Sequence, residues 1–358
     1  MAEKEKPVII TLPPFEERHA ENEPDFLFAK HTRRIFQANA EKFEMLYDLE
    51  TNRRHGYTVM VGDSNRWFPL AIVRGAHPGP KAVITAGIDA NEATAIKAAL
   101  ELTYELDFTK MHGTVCIVPV ADTAAFERRG TSGNPSEGQA LGTLFPGNAE
   151  GTLDEQVASG LWQLVETADL YLDLRSGNAH EATAPHTRFF IPLLGEDSHG
   201  QDRSLELAHA TSAALLVPAQ GESNGSAAGC AAAKGIPTLQ PLRGGLGVLD
   251  REGVDALKAD VLGVLRSQGV LEGAFDDHQA SQTVLSDTTE ARSLYTGAWQ
   301  PRVHAGDAIG AGQLLGTVTD PFGNTMATLT ARHDGVVLSV VESLNLIKGE
   351  TAVLYAGK

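Results

Sequence analysis

The chain is poor in several things, and each shortage closes off a class of protein. It has only two cysteines, Cys116 and Cys230. They lie far apart and fit neither a disulfide framework nor a cysteine-type zinc site. Cys116 sits inside an apolar strand pattern, Thr114-Val115-Cys116-Ile117-Val118, and is expected to be buried and reduced. No apolar run approaches the roughly 20 residues that a bilayer-crossing helix needs. The start, MAEKEKPVII, lacks the basic-then-apolar layout of a secretory signal. The expectation is a soluble, cytoplasmic protein with no membrane partner. Positive charge is also scarce: 29 Lys and Arg stand against 46 Asp and Glu, a net charge of −17. A chain of that sign is repelled by phosphate backbones, which argues against a nucleic-acid partner.

What is present is globular material: 42% hydrophobic and 21% charged residues in 358. That length holds one large domain and a smaller one. Residues 1–54 read as a polar arm followed by a helix over Asp25–Glu50, residues 55–272 as an α/β domain, 273–289 as a polar linker, and 290–358 as an all-β module. The module's short strands are separated by Gly306-Asp307, Gly323-Asn324, Asp334-Gly335 and Lys348-Gly349-Glu350 turns. Its run from Val303 to Gly316 resembles the barrel-sandwich hybrid of biotinyl and lipoyl domains. It lacks their lysine hairpin, so the module is read as a scaffold.

The α/β domain is organised around Lys81–Leu106, KAVITAGIDANEATAIKAALELTYEL. Ala82–Ala86 reads as a buried strand, Gly87–Glu92 as a tight turn, and Ala95, Ile96, Ala99, Leu102 and Leu106 recur at helical spacing. The turn therefore lies at the carboxyl end of a strand, where open α/β sheets place their ligands. Asp89 and Glu92 can both point into that crevice, and a pair of carboxylates there calls for a cation. Further strands are expected at Tyr57–Val61, Phe68–Val73, Gly113–Val120, Asp169–Leu174, Phe189–Leu194 and Gly235–Leu239. Helices are expected at Leu153–Ala168, Leu205–Leu215, Ser223–Lys234 and Val254–Gln268. Gly75–Pro80 reads as a turn, and Ala121–Gly151 as a long polar loop of the kind that is usually functional.

Taken in order, several segments resemble the succinylglutamate desuccinylase/aspartoacylase family. They are the central stretch, Phe145-Pro146-Gly147 with Gly151-Thr152 and Glu155, Asp169–Leu174, Gly235-Ile236-Pro237 with Gly244-Gly245, and the β module. The resemblance covers roughly residues 55–358. It implies a carboxypeptidase-like mixed sheet flanked by helices, with a C-terminal β barrel-like domain, and a zinc-dependent hydrolase of N-acyl amino acids. The family's His-x-x-Glu zinc motif falls on Asp89-Ala90-Asn91-Glu92, so the Glu is kept and the His is replaced. Its third ligand, a His after Asp-Leu, falls on Arg175. Its general-base Glu falls on Leu242. Its substrate-holding Asn-Arg falls on Gly142-Thr143, and an earlier substrate arginine on Arg128 or Arg129.

A catalytic zinc of this kind needs about three protein ligands and an open position for water. An arginine is a permanent cation with no lone pair to give, so Arg175 and a divalent metal should exclude one another. The expectation is that Arg175 is salt-bridged to both Asp89 and Glu92, without metal, and that Leu242 leaves no base. The first functional reading is a pseudoenzyme, a binding or regulatory subunit in a homo- or hetero-oligomer beside an active homologue. The second is an active hydrolase of an N-acyl amino acid or related amide. It would use a relocated zinc site in which His180 and His186 join Asp89 or Glu92. A third is a binder of a small anionic or acyl amino acid ligand through Arg175, Arg128 and Arg129. Ser176 lacks a nucleophile-elbow pattern, which argues against a serine hydrolase, and Asp173 is read as a structural acceptor.

Overall fold

The structure is a computed structural model that describes residues 34–37, 49–61, 66–130, 139–192, 199–286 and 288–357, with backbone alone for 34–37 and 199–202. The α/β elements are β1 (Arg34–Gln37), β2 (Arg53–Met60), β3 (Trp67–Arg74), β4 (His77–Thr85), α1 (Ala93–Glu105), β5 (His112–Val118), α2 (Thr123–Glu127), α3 (Leu153–Val165), β6 (Leu170–Asp173), β7 (Glu181–Thr183), β8 (His186–Ile191), α4 (His199–His209), β9 (Leu215–Gln220), α5 (Ala227–Ala233), β10 (Thr238–Leu242), α6 (Arg251–Ser267) and β11 (Thr283–Val284). All of these strands but β7 form one mixed sheet in the order β1-β2-β3-β5-β4-β6-β10-β8-β9-β11. The central strands β5, β4, β6 and β10 run parallel, and β8 enters antiparallel to β10.

The central strands carry apolar side chains on both faces, as a sheet covered on both sides requires. Val83 and Tyr171 face one layer, with Val157 and Leu161 of α3 and Ala231 of α5. Ala82, Ile84 and Leu172 face the other, with Ala95 and Leu102 of α1 and Val261 and Leu265 of α6. The expected Lys81–Leu106 unit forms: β4 ends at Thr85, Gly87 turns the chain at φ +65°, and α1 starts after Glu92. A Cβ on Gly87 would press on the Ile96 side chain at 3.0 Å, so the turn needs glycine for both space and dihedral.

The chain continues with β12 (Thr288–Arg292), β13 (Gly297–Pro301), β14 (Ala308–Ile309), β15 (Leu314–Thr319), β16 (Thr325–Thr330), β17 (Gly335–Val341), β18 (Asn345–Leu346) and β19 (Thr351–Ala356). They form two sheets, β12-β19-β17-β14 and β16-β15-β13-β18. These enclose Trp299, Leu315, Val337, Val353 and Tyr355. Trp299 donates its indole N–H to the Val341 carbonyl at 2.8 Å, so its polar handle is satisfied in the core.

Several expectations need correcting. Within the expected Asp25–Glu50 helix, residues Arg34–Gln37 form a strand paired parallel to β2; the remainder lies outside the described residues except 49–50. Sheet pairing here overrides a spacing of apolar residues that suits a helix. The expected turn Gly75–Pro80 instead leads into β4 from His77, with a register shift before Lys81. The expected helix Leu205–Leu215 lies earlier, at His199–His209, and Leu215 begins β9. The Ala121–Gly151 loop carries α2, and a short 3₁₀ turn at Leu141–Thr143. The expected linker contributes β11 to the main sheet beside β9. The short strand β7 leaves the α/β part altogether and pairs with β17 of the C-terminal unit.

Candidate functional site

Strand alternation builds the site. Along β6, Leu170 and Leu172 point under α1 and α6, so Tyr171 and Asp173 point to the opposite face, and Arg175 follows Asp173 at the same two-residue period. Pairing extends that face across four strands. Thr85 of β4 lies beside Asp173 of β6, and Gln240 of β10 beside Arg188 of β8. These four form a hydrogen-bonded row. Thr85 donates to Asp173 Oδ1 at 3.1 Å, Gln240 Nε2 to Asp173 Oδ2 at 2.7 Å, and Arg188 Nη1 to Gln240 Oε1 at 3.2 Å. The Tyr171 hydroxyl lies 2.6 Å from Thr85 Oγ1. Asp173 is fully buried and accepts from both sides, which agrees with its reading as a structural acceptor. A second row lies at the mouth: Arg175 bridges to Leu242, and Leu242 pairs with His186.

Arg175 meets Glu92 through a fork. Its Nε lies 3.0 and 2.9 Å from Oε1 and Oε2, and Nη2 donates to Oε1 at 2.7 Å. The Ser176 N–H also points to Glu92 Oε2, at 3.4 Å. Glu92 is only 3% exposed. A bidentate guanidinium–carboxylate pair in such surroundings is among the strongest polar contacts a protein makes.

The expected bond from Arg175 to Asp89 is not formed. The remaining Nη1 lies 3.6 Å from Asp173 Oδ2 instead. Glu92, at the start of α1, occupies the Nε edge of the fork, and Asp173, two residues back on the same strand, faces Nη1. Asp89 is left outside, and its buried Oδ1 has no hydrogen-bond partner among the described residues.

Two carboxylates thus pair with one half-buried guanidinium, and Asp89 lies nearby without bonding to it. Burial pushes Glu92 up to about 8, against the pull of Arg175. Burial likewise raises Asp89, opposed by Arg175 and the Asn91 N–H. Burial acts to lower Arg175, but Glu92, Asp173 and Asp89 outweigh it and raise its pKa. Arg188 is lowered by burial and by Arg175. His186 is 1% exposed, its Nδ1 lies 2.8 Å from the Ala184 carbonyl, and burial pushes it down to about 4.

The other sequence candidates are not drawn into this cluster. His180 is exposed in the β6–β7 connection, with its backbone N–H on Asn178 Oδ1. Among the described residues no three His, Cys, Asp or Glu side chains are grouped to hold a metal ion, so a relocated site of His180 or His186 with Asp89 or Glu92 is not formed. The loop from Asn178 keeps its own turn, and His186 turns its Nδ1 to the backbone. Arg128 and Arg129 are exposed at the end of α2, with Arg129 at φ +54°. The zinc that the family resemblance implies does not fit the donors at 89, 92 and 175. The third position carries a cation with no lone pair to give, and that cation already engages both oxygens of Glu92. Arg188 and Gln240 were missed from the sequence. Their signal was the alternation His186, Arg188, Phe190 on a strand otherwise read only as apolar.

Comparison with known proteins places these residues in context. The model of the succinylglutamate desuccinylase/aspartoacylase catalytic domain matches residues 78–267, more than half of the chain. A curated relative, the N-alpha-acetyl-L-2,4-diaminobutyric acid deacetylase of Halomonas elongata, is 26% identical over 317 residues, covering 85% of this chain and 91% of its own. The product-bound structure of the ectoine utilization protein EutE (DoeB) from Ruegeria pomeroyi superposes with a TM-score of 0.76 at 21% identity, over 87% of this chain and 98% of that one. A succinylglutamate desuccinylase/aspartoacylase structure from Rhodobacter sphaeroides gives 0.75 at 21%, with the same coverage. These two likenesses establish the carboxypeptidase-like fold.

Proposed function

This chain belongs to the succinylglutamate desuccinylase/aspartoacylase family, and from that premise we propose that it uses the family's cleft to bind a small amino-acid-like ligand without zinc-dependent hydrolysis. It acts on this reading as a binding or regulatory subunit, either in a homo-oligomer or in a hetero-oligomer with an active homologue. The observation that carries the reading is the Arg175–Glu92 fork at 2.7–3.0 Å. A guanidinium sits where the family resemblance puts the third zinc ligand, and it engages the one ligand that is retained. Two further changes point the same way. Asp89 stands for a His, and Leu242, on the mouth row beside Arg175, has no group able to take a proton.

The test is elemental analysis of the purified chain with and without added zinc, run beside hydrolysis assays on N-alpha-acetyl-L-2,4-diaminobutyrate and succinylglutamate. The expected result is well under one zinc per chain and no turnover. The double variant Asp89→His/Arg175→His should gain zinc towards one per chain, because it restores two imidazole donors beside Glu92. Near-stoichiometric zinc in the unmodified chain, lost in Glu92→Ala and accompanied by hydrolysis, would overturn the reading.

A second reading, an active amide hydrolase with an altered mechanism, is favoured by one observation. The buried Glu92 carboxyl, held up to about 8, titrates in the range useful for acid–base catalysis. Turnover persisting in chelator and lost in Glu92→Gln would support it.

A further inference from the structure

Fourteen large apolar side chains stand exposed among the described residues, and half of them gather on three loops. Leu246, Val248 and Leu249 lie on the loop between β10 and α6, at the rim of the cleft. Leu294 and Tyr295 lie on the β12–β13 loop, and Leu344 and Ile347 flank β18. All seven are between 43% and 69% exposed. Hydrogen bonds tie the loops into one surface. The Leu246 N–H donates to the Glu181 carbonyl and the Glu342 N–H to the neighbouring His180 carbonyl, both at 2.8 Å. The Lys348 N–H reaches Thr296 Oγ1 at 3.0 Å, and the Gly349 N–H reaches the Ser293 carbonyl at 2.8 Å. Soluble proteins rarely expose a contiguous apolar patch larger than a few hundred Å², so a band of this kind marks an interaction surface.

The rim end of the band is held in shape. Leu246 has φ +57°, a left-handed conformation that a glycine takes freely and a leucine takes at a cost. Strain of this kind persists where the surrounding structure enforces it, and it marks functional surfaces. Thr94 of α1 pins the same loop: its hydroxyl donates to the Val248 carbonyl and accepts from the Asp250 N–H, each at 3.0 Å. A loop fixed in this way, with its leucine outward, loses little freedom when it is covered.

We infer that this band is the contact between two copies of the chain, related by a two-fold axis. Charge is the first reason. Residues 244–249, 293–296 and 343–347 contain no charged side chain, although the whole chain carries −17. Glu342 and Lys348 border the band with opposite signs. Two acidic copies repel over most of their surface, and an uncharged zone is where they can approach. A two-fold contact lays the same patch on itself, apolar on apolar. A basic partner would find no carboxylate within these loops to pair with. Area is the second reason. Seven half-exposed side chains of this size offer on the order of 350 Å² of apolar surface. Since interfaces are roughly 60% apolar, a contact centred on them covers on the order of 600 Å² per copy, the lower end for a specific dimer. The band also reaches the cleft: the Gly247 N–H lies 3.4 Å from the carbonyl of Gly177, two residues after Arg175, so the second copy stands at the mouth. The inference rests on the oligomer in the proposed function and chooses a second copy over an active homologue. It does not depend on the loss of hydrolysis.

The experiment is sedimentation equilibrium of the full chain from about 1 to about 100 μM, in about 50 and about 500 mM NaCl. A reversible dimer is expected. It should tighten severalfold at the higher salt, because salt screens the repulsion between two acidic copies and leaves the apolar contact in place. Leu246→Glu and Leu344→Glu each put like charges into both halves of the contact and should weaken the dimer about tenfold or more. Both positions are exposed, so thermal unfolding of the dilute chain should not change. Phe322→Glu, at an apolar side chain 91% exposed and outside the band, should leave the dimer intact. A chain that stays monomeric throughout, a dimer that high salt dissociates, or one that both band variants leave untouched would overturn the proposal. Zinc content and turnover are measured separately. Failure of the dimer leaves binding without hydrolysis standing, and zinc with turnover would leave the dimer contact standing.

Discussion

At the scale of single residues, the cleft shows how one substitution changes what its neighbours can do. Arg175 converts a carboxylate pair that would attract a dication into an ion cluster with its own internal cation. It chooses Glu92 and Asp173 over Asp89 because those two face the edges of its fork. Truncating it would leave the buried Asp173 without a counter-charge and the buried Glu92 without its donors, a loss of the order of 3–5 kcal/mol for a buried pair. Glu92 also gives a pH signature. Its folded pKa of about 8 lies above its ordinary 4.5. The folded state therefore holds a proton that the unfolded state releases. The associated stabilisation is complete below about pH 4.5 and is lost as pH rises through 8. Thermal unfolding followed from pH 5 to 8 should show stability from this group declining with pH. Glu92→Gln, which cannot ionise, should flatten that slope; an unchanged slope would assign it to other groups.

At the scale of elements, the site depends on strands that present alternate residues and on helices that start cleanly. The helix α3 opens with a capping box. The Thr152 side chain accepts from the Glu155 N–H at 3.3 Å, and Glu155 Oε2 accepts from the Thr152 N–H at 2.8 Å. The helix then lays Val157 and Leu161 against the sheet and carries Asp154, which is paired with Arg66. Thr152→Ala should cost about 1 kcal/mol in denaturant unfolding, the usual price of a lost cap, with little effect on ligand binding. This helix and the turn before α1 were legible in the sequence because helical spacing and turn residues act locally, whereas the capping role of Thr152 and Glu155 emerged only from the structure. The strand at Arg34–Gln37 was not legible, since its partner is a strand more than fifteen residues further on and only pairing decides its state.

At the scale of the whole molecule, the C-terminal unit is tied into the α/β part. The β7–β17 pairing joins the two, as does a shared apolar cluster of Val217, Leu285, Leu338 and Ala356. Calorimetry should therefore show a single cooperative transition, and truncation after residue 287 should destabilise the α/β part by exposing β7 and that cluster. Two separate transitions would argue against the coupling. The sequence by itself determined the fold class and the family resemblance, and directed attention to positions 89, 92, 175 and 242, because strand–turn–helix signals and ordered motifs are carried by local chemistry. Only the tertiary structure decided which carboxylates Arg175 takes, that His186 turns inward to the backbone, and that Arg188 is brought beside Gln240 and Asp173. Those outcomes depend on strand order β4-β6-β10-β8, which sets non-consecutive segments side by side. No local pattern of residues encodes that order, since each pairing is settled by packing across the sheet.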